Sequence, residues 1–338
     1  MVEKNEPLNA YQEQKETIIT SENIAESKDR IDFSQYHVMV IIPAFNEARF
    51  IGSVVLKLKK HPLNILVVDD GSSDDTAEIA RSAGARVLSL SVNQGKGAAL
   101  NAGLEKANRE NPDAIVLIDA DGQHLPEELL KVVEPVLKNE ADIAIGSRYL
   151  HNTSNTPSHR KFGHKILNFV TGTASGITVS DSQSGYRALS PKAYQLLQFS
   201  SKGFSVESEM QFLASEHDLR VVDVPVTIQY LDGEKRSAWR QGAGVLNGIL
   251  SLTSQYRPLL FFSVPGLVSL FGGIIWGIVV INRFRIYGRL AVGYAMICVL
   301  LCLFGLTLFS TGITLHAIRT LFLEHLASRD IKPRSRQL

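Results

Sequence analysis

The sequence predicts an α/β domain with a mainly parallel sheet, followed by a transmembrane hairpin of two helices. Short runs of β-branched residues alternate with stretches of helical periodicity from residue 38 to about residue 145, a pattern typical of a parallel sheet flanked by helices. Polar motifs rich in Asp and Gly follow these strands, where ligands bind in such sheets. Two long apolar runs without charge come near the end of the chain.

The elements of the first domain alternate regularly. The first strand is Val38–Ile42, which Pro43 stops. Helix and strand then follow in turn, at Ala48–Lys60, Ile65–Val68, Thr76–Ala83, Arg86–Leu90, Gly97–Asn108 and Ala114–Ile118. Later strands are predicted at Ile143–Ile145 and at Arg220–Tyr230, the second of which alternates apolar and polar residues.

The apolar runs are Leu259–Ile281 and Leu290–Ile313. At about 1.5 Å per residue, each reaches the roughly 30 Å of a bilayer core. The alternative is a buried helical hairpin of a soluble protein, but helices of soluble proteins need a polar face. The connector Asn282–Arg289 is short, so we expect both ends of the hairpin on one side of the membrane.

The basic residues around the hairpin give conflicting indications of its orientation. The connector carries Arg283, Arg285 and Arg289, which favour a cytoplasmic loop. The outer flanks carry more basic residues, namely Lys235, Arg236, Arg240, Arg257, Arg319, Arg329, Lys332, Arg334 and Arg336. We expect a multi-pass protein of the cell membrane with two spans, cytoplasmic termini and a cytoplasmic first domain, and the arginine-bearing connector remains in conflict with it.

Composition narrows the function classes. Lys and Arg total 35 against 34 Asp and Glu. The chain therefore lacks the excess of positive charge that would indicate nucleic-acid binding. The polar start of the chain lacks the basic-then-apolar pattern of a signal peptide. The two cysteines, Cys298 and Cys302, lie four apart inside an apolar run, and we interpret them as packing residues rather than a disulfide or metal pair.

A candidate metal site follows the predicted strand that ends at Ile118. The segment Asp119-Ala-Asp121-Gly-Gln123 offers two carboxylates and an amide oxygen, which suit Mg²⁺ or Mn²⁺ shared with phosphate oxygens. The alternative is a turn that uses Asp and Gly for their backbone preferences.

Three further loops follow predicted strands and could bind a nucleotide. Asp70 and Glu47 can accept hydrogen bonds from a base or ribose. The alternative for the loop that contains Asp70 is a turn into the next helix, because Asp75 and Glu78 are spaced as a capping box. The segment Asn93–Gly97 opens a helix with glycines that leave room for an anion, and its Lys96 adds positive charge.

Taken together, these loops resemble one family. The strings PAFNE, VVDDGSSDDT, NQGKGAALNAG and DADGQ, in that order, are similar to those of inverting family 2 glycosyltransferases with a GT-A, Rossmann-like fold. With Gly146–Tyr149 and Asp181–Arg187, the set resembles the dolichol-phosphate mannose synthase and polyprenyl-phosphate glycosyltransferase branch. The resemblance covers about residues 37 to 240.

The resemblance implies a role for each matching residue. It implies that the nucleotide sugar contacts Pro43, Glu47, Asp70, Lys96, Asp119, Ala120, Lys235 and Arg236. It implies that Asp119, Asp121 and Gln123 hold the metal, and that Arg148 and Arg160 bind the acceptor phosphate. His164 stands where the family commonly has Ser, and a protonated His could also bind phosphate, whereas Asn168 matches. The segment with Lys235, Arg236 and Ser237 resembles a mobile stretch that closes over the donor.

The implied reaction is an inverting, metal-dependent transfer of a hexose from GDP-mannose or a UDP-hexose. The acceptor would be a polyprenyl or dolichyl phosphate at the cytoplasmic membrane face, giving a β-linked product. Near neutral pH a phosphate monoester is largely dianionic, so it does not strictly need a general base. Glu207 and Glu209 lie where hydroxyl-acceptor relatives keep an acid, and here we expect them to position other groups. On this basis we expect Asp121, Arg148 and Arg160 to be catalytic.

Other functions stay open. A membrane glycosyltransferase could use a different lipid or glycan hydroxyl, and an inactive donor fold could serve as a membrane scaffold. Processive polysaccharide synthases carry a QxxRW signature that this chain lacks, and sugar-nucleotide pyrophosphorylases begin with a Gly-rich loop that it also lacks.

We expect five segments along the chain. These are a polar segment that need not be ordered, a catalytic domain, an amphipathic juxtamembrane segment, the transmembrane hairpin and a basic tail, at 1–36, 37–232, 233–257, 258–318 and 319–338. Within the catalytic domain, the basic cluster His159–Lys161 with His164 and Lys165 precedes Ile166 and Phe169. It suits either an anionic membrane surface or a solvated helix face.

Overall fold

The computed structural model describes residues 33–150, 158–200, 206–229, 238–289 and 292–330. The chain divides into two compact units, with the boundary between Ile249 and Leu250. The first unit is an α/β unit and the second is formed by long apolar helices.

The first unit alternates strands and helices as the sequence predicts, with additional elements in its second half. Its strands are β1 Val38–Ala44, β2 Asn64–Asp69, β3 Arg86–Ser89, β4 Ala114–Leu117, β5 Ile143–Ser147, β6 Arg187–Leu189 and β7 Val221–Pro225. Its helices are α1 Ile51–Leu58, α2 Thr76–Ser82, α3 Lys96–Glu110, α4 Leu129–Leu137, α5 Ser158–Ser175, α6 Pro191–Leu196 and α7 Val206–Glu216. A further helix, α8 Ala238–Tyr256, begins in this unit and ends in the second.

Within the described residues, seven strands form one sheet in the order β3-β2-β1-β4-β6-β5-β7. Neighbouring strands are parallel, except that β6 runs antiparallel to both β4 and β5. Because two reversals cancel, β5 points the same way as β4. The carboxyl ends of β1 to β5 therefore lie at one edge, named here the C-terminal edge, and the loop that enters β6 lies there too. The prediction of a mainly parallel sheet is confirmed.

The core lies on both faces of the sheet because successive strand residues point to opposite sides. On one face, Val40 and Ile42 pack with buried residues of α1, α2 and α4. On the other face, Ile41 meets α3 so closely that a Cβ at Gly103 would lie 2.7 Å from its Cγ2. This layering fixes the direction of the loops that leave the C-terminal edge.

Several predicted boundaries were wrong for local reasons. The helix predicted from Ala48 begins at Ile51, and it is preceded by a turn in which the carbonyl oxygen of Glu47 accepts from the amides of Phe50 and Ile51. The strand predicted at Arg220–Tyr230 is a ladder only as far as Pro225, followed by one bridge between Ile228 and His124. The strand β6 was not predicted, since its three residues are too few to show a periodicity.

The second unit contains the helices α9 Val264–Tyr287 and α10 Val292–Asp330, with a π-helical turn at Leu259–Ser263 before α9. The segments Leu259–Tyr287 and Val292–Phe322 are long and apolar enough to cross a membrane. They contain most of the predicted spans. The predicted connector was wrong, however, because α9 continues to Tyr287, so that Arg283 and Arg285 lie on the helix.

Glycines allow α9 and α10 to approach each other closely. A Cβ at Gly305 would lie 2.5 Å from the backbone nitrogen of Leu270, and one at Gly266 would lie 2.6 Å from that of Phe309. The Sγ of Cys298 donates to the carbonyl oxygen of Gly273 at 3.2 Å, and both cysteines are free. Both sulfurs lie against glycines of α9, since a Cβ at Gly277 would lie 2.9 Å from Sγ of Cys298 and one at Gly273 would lie 2.7 Å from Sγ of Cys302.

Candidate functional site

The first two loops of the C-terminal edge are tied together by hydrogen bonds. The Oδ1 of Asn46 accepts from the amide of Ser73 at 2.9 Å, and Asn46 itself has a φ of 56°. The amide of Glu47 donates to Oγ1 of Thr76 at 2.8 Å. The capping box considered for α2 is absent, since the N-cap Asp75 makes no side-chain cap bond. The polar residues of this motif instead hold Glu47 beside the end of β2.

Asp70 joins the second loop to the third. It is buried, with 3% of its surface exposed, and its two carboxylate oxygens accept from the amides of Gln94 and Gly95 at 2.8 and 2.7 Å. Its own amide donates to the carbonyl oxygen of Ala44 at the end of β1. Asp70 therefore organises the three loops around the start of α3.

The end of β4 carries the two carboxylates of the candidate metal site. Asp119 and Asp121 are half-buried, with the buried Ala120 between them. Burial and then the charge of Asp119 raise the pKa of Asp121 to about 6. Asp121 also accepts from the amide of Gln123 at 3.0 Å. Burial therefore disfavours the negative charge of Asp121, and the charge of Asp119 beside it disfavours it further.

Lys96 partly offsets that charge. Its Nζ lies 2.5 Å from Oδ1 of Asp119 and 2.6 Å from Oε1 of Glu207 in α7. Burial disfavours the ammonium, but Asp119 and Glu207 raise its pKa well above the usual range. Burial alone would raise the pKa of Asp119, but chiefly Lys96 holds it below its usual value. Lys96, the positive charge predicted at the start of α3, therefore contacts Asp119 at the end of β4.

The donor set fits a divalent cation. The two carboxylates and the amide group of Gln123 provide hard oxygen atoms. Within the described residues, no group of three or more His, Cys, Asp or Glu side chains could hold a metal by itself. A cation at Asp119 and Asp121 would therefore need further oxygen ligands, which the phosphates of a nucleotide could supply.

Arg148 lies beyond the end of β5 on the same edge. Its Nε donates to Oδ2 of Asp181 at 2.6 Å, and the side chains of Arg148 and Asp181 are 10% and 0% exposed. The positive charge of Arg148 also lowers the pKa of Asp119, though less than Lys96 does. The guanidinium group is thus held by a buried carboxylate close enough to the end of β4 to act on it electrostatically.

The loop before β6 connects Arg148 with α5. Asn168 of α5 accepts from the amide and hydroxyl of Ser182 at 2.9 and 2.7 Å and donates to the carbonyl oxygen of Ser180. In the same loop, a Cβ at Gly185 would lie 2.2 Å from Oδ2 of Asp119. This glycine therefore lets the loop pass directly against the candidate metal ligand.

Some predicted site residues have no described side chain. The backbones of Arg160 and His164 lie in α5. Lys235, Arg236 and Ser237 lie outside the described residues. The roles suggested for these five residues therefore stay predictions.

The structure also brings in residues to which the sequence had assigned no partner. Asp181 holds Arg148, and Glu207 holds Lys96. Glu209 accepts from the amide and hydroxyl of Ser200 at 2.8 and 2.6 Å and so supports a turn. Asp181 begins one of the segments that carry the family resemblance, but that segment does not show its partner, which is 33 residues away along the chain.

Comparison with known proteins agrees with this arrangement. Residues 39–197 match the family described as glycosyl transferase family 2. An uncharacterised protein of Methanocaldococcus jannaschii is 39% identical over 64% of this chain and 90% of its own length. The UDP-N-acetylglucosamine–dolichyl-phosphate N-acetylglucosaminyltransferase of Methanococcus voltae is 34% identical over 58% and 86%. The polyprenol monophosphomannose synthase of Mycolicibacterium smegmatis is 33% identical over 56% and 76%.

Solved structures share the fold. Glucosyl-3-phosphoglycerate synthase from Mycobacterium tuberculosis, in complex with Mn²⁺, uridine diphosphate and phosphoglyceric acid, superposes with a TM-score of 0.53. It is 22% identical, and the match covers 65% of this chain and 80% of that one. At this identity the likeness establishes the fold, which is the GT-A fold expected from the motifs. The chain belongs to glycosyl transferase family 2, and its relatives include proteins named as a dolichyl-phosphate N-acetylglucosaminyltransferase and a polyprenol monophosphomannose synthase.

Proposed function

We propose that this protein transfers a hexose from a nucleotide sugar to a polyprenyl or dolichyl phosphate at the cytoplasmic face of the membrane. The observation that carries the proposal is the position of Arg148, held by the buried Asp181 at the same sheet edge as Asp119 and Asp121. Arg148 would hold the acceptor phosphate, and a metal ion at Asp119 and Asp121 would hold the diphosphate of the donor. Relatives named for dolichyl- and polyprenyl-phosphate transfer support the acceptor class.

The side chains at the C-terminal edge would align the acceptor phosphate with the diphosphate of the donor, two anions that repel each other. An oxygen of the acceptor phosphate attacks the anomeric carbon, and the bond from that carbon to the diphosphate oxygen breaks, which inverts the anomeric centre. Arg148, and Arg160 as the second arginine, would offset the acceptor's charge, because the forked guanidinium matches phosphate oxygens. A Mg²⁺ or Mn²⁺ ion held by Asp119, Asp121 and Gln123 would stabilise the departing diphosphate as a Lewis acid. Glu47, which follows β1, would face the nucleoside. The carboxylate of Asp70 is buried and already accepts from the amides of Gln94 and Gly95, so Asp70 would shape the nucleoside site by holding these loops.

The surroundings of Glu207 favour a phosphate over a hydroxyl acceptor. A hydroxyl nucleophile needs a general base, and the family resemblance implies that Glu207 and Glu209 lie where hydroxyl-acceptor relatives keep an acid. Here one oxygen of Glu207 is bound to the ammonium of Lys96, and only 7% of the side chain is exposed. A dianionic phosphate needs no base, so Glu207 is free to serve as a partner of Lys96.

The membrane supplies the acceptor in this proposal. The two apolar helices α9 and α10 would anchor the chain. In α5, the apolar side chains of Ile166 and Phe169 are 43% and 73% exposed. They follow the basic start of the helix, and such a surface suits contact with anionic head groups.

Transfer to extracted lipid tests the proposal. The purified full-length protein is incubated with polyprenyl phosphate and with labelled GDP-mannose, UDP-glucose or UDP-N-acetylglucosamine, with Mg²⁺, with Mn²⁺ or with chelator. Label is expected in the organic phase with one of these donors and only with a divalent cation. Label that enters lipid only when a polyprenol without phosphate is supplied would favour the hydroxyl-acceptor alternative. Absence of both transfer and nucleotide-sugar hydrolysis would favour an inactive scaffold.

A further inference from the structure

Lys96 occupies a position between two carboxylates from distant parts of the chain. Its Nζ lies 2.5 Å from Oδ1 of Asp119, at the end of β4, and 2.6 Å from Oε1 of Glu207, in the first turn of α7. Lys96 is the first residue of α3. The ammonium therefore bridges three elements that meet at the C-terminal edge.

The burial of this cluster distinguishes it from an ordinary surface ion pair. The side chains of Lys96 and Glu207 are 20% and 7% exposed. Among the described residues, the Oε2 atom of Glu207 has no hydrogen-bond partner and is buried. Such a carboxylate is costly to bury unless a cation stays beside it. Glu207 thus retains Lys96 in the site whatever happens at Asp119.

A divalent cation and Lys96 cannot both occupy the same position at Oδ1 of Asp119. Cation–oxygen distances are about 2.0–2.6 Å, and the ammonium is already in direct contact with this atom. Two positive groups on one oxygen atom would also repel each other. A cation that binds Oδ1 of Asp119 therefore has to displace the ammonium.

We propose that Lys96 is a resident counter-ion of the metal site, which competes with the divalent cation for Asp119, and that Glu207 is the positioning residue that retains it. The proposal rests on the proposed function, in which Asp119 is a metal ligand. The competition has a consequence for the order in which the divalent cation and the nucleotide bind. The cation alone binds weakly, because it must separate Lys96 from Asp119. A nucleotide diphosphate offers the ammonium new oxygen partners, so cation and nucleotide strengthen each other's binding.

Binding of Mn²⁺ to the full-length protein, measured by electron paramagnetic resonance of free Mn²⁺, tests this competition without relying on activity. Lys96→Gln is expected to tighten the binding of Mn²⁺ alone by about tenfold, and to reduce the gain that UDP or GDP gives. Glu207→Gln should act in the opposite direction, weakening Mn²⁺ alone by about threefold, because Asp119 becomes the only carboxylate partner of Lys96.

Lys106→Gln is the matched control, since Lys106 lies on the same helix and pairs with Glu110 away from the site. It removes the same charge, and its Mn²⁺ affinity should stay within twofold of wild type. Lys96→Arg keeps the cation and should also stay near wild type. If Lys96→Gln fails to fold, Glu207→Gln still tests the competition, because the proposal requires it to weaken Mn²⁺ binding and an unchanged or tighter affinity would refute it. If Lys96→Gln matches Lys106→Gln, or binds Mn²⁺ more weakly, the competition is refuted.

The two proposals can fail separately. Mn²⁺ binding that depends on Asp121 but not on Lys96 would overturn the competition and leave the proposed metal site intact. No Mn²⁺ binding by the wild type or any variant, with or without UDP or GDP, would overturn both.

Discussion

The Nε of Arg148 donates to Oδ2 of Asp181 at 2.6 Å, so that the end of β5 and the loop before β6 are joined at the C-terminal edge. A similar pair lies at the other end of the same strand, where Arg220 donates to Asp142 at 3.2 Å. The pair at the C-terminal edge is the more deeply buried one, since the side chain of Arg148 is 10% exposed and that of Arg220 is 43% exposed. Two similar ion pairs therefore provide a comparison between a site residue and a structural residue.

Loss of Arg148 is expected to impair use of the acceptor. Arg148→Gln removes charge-assisted hydrogen bonds worth about 1.5–3 kcal/mol, which corresponds to roughly tenfold to hundredfold in transfer. Arg160→Ala should act in the same direction. Acceptor kinetics give the loss, and calorimetry should show a donor Kd within about threefold of wild type. Arg220→Gln is the control with unchanged kinetics. A tenfold change in donor Kd with normal acceptor kinetics would assign the arginines to the diphosphate instead.

Asp121→Ala is expected to abolish transfer while the protein stays folded. Asp121 is one of the two carboxylate ligands proposed for the metal at the end of β4, and its loss would leave Asp119, which Lys96 already contacts, as the remaining carboxylate. Less than a tenth of wild-type transfer should remain at saturating Mg²⁺ and Mn²⁺, with a melting temperature close to that of wild type. Asp113→Asn serves as the control, because Asp113 precedes the same strand and binds the amide of His37. Substantial transfer by Asp121→Ala would remove this residue from the metal site.

A single methyl group should separate the two apolar helices. In Gly305→Ala, the new Cβ would lie 2.5 Å from a backbone nitrogen of α9, and backbone cannot give way as a flexible side chain can. We expect the melting temperature in detergent to fall by about 5 °C. Gly293→Ala in the same helix meets nothing within 4 Å and should be neutral. Equal melting temperatures for the two variants would mean that α9 and α10 do not pack in this way.

The orientation of the hairpin can be measured at Tyr287, which ends α9 and is 69% exposed. With Cys298 and Cys302 replaced by Ala, Tyr287→Cys is expected to react with an impermeant maleimide in intact cells. Gln255→Cys, before the first span, should react only after the cells are opened. The reverse pattern would place the arginines near the turn in the cytoplasm, as the positive-inside rule favours for them. Release of the protein by carbonate would contradict membrane integration altogether.

An ion pair at the opposite edge of the sheet should make stability depend on pH. Two hydrogen bonds from Arg86 are the main cause that lowers the pKa of Glu110 from 4.5 to about 2. Because the folded pKa is the lower one, the stabilisation is complete above about pH 4.5 and is lost as the pH falls from there towards 2. Glu110→Gln should lower the free energy of unfolding by about 0.5–1 kcal/mol at pH 7.

The difference between wild type and Glu110→Gln should shrink below pH 4, as measured by denaturant unfolding at several pH values. Glu105→Gln breaks a pair with Arg109 in which both side chains are about 70% exposed, and it should have little effect at any pH. A gap that is constant between pH 7 and pH 3 would show that the charge of Glu110 is not the cause. Transfer activity should be unchanged, since Arg86 begins β3 and Glu110 ends α3, so that both lie away from the C-terminal edge.

The sequence by itself determined the strands, the motifs and the apolar helices, because these features depend on residues that are neighbours along the chain. The strands β1, β2, β4 and β5 appear as short apolar runs because nearly all of their residues are buried. The motifs that follow these strands fall at one edge because the strands run in the same direction. The apolar lengths of α9 and α10 were equally readable, since a helix without a polar face needs no tertiary information to be recognised.

Only the tertiary structure decided which side chains meet. Lys96 and Glu207 are 111 residues apart, and Arg148 and Asp181 are 33 apart. The contact between Arg148 and Asp181 depends on β6, whose reversed direction brings the loop from Asp181 to Gly185 to the C-terminal edge. A strand of three residues leaves no periodicity in the sequence, and its direction is fixed by pairing with β4 and β5. Long-range pairing is a property of the folded sheet, so no local pattern records it.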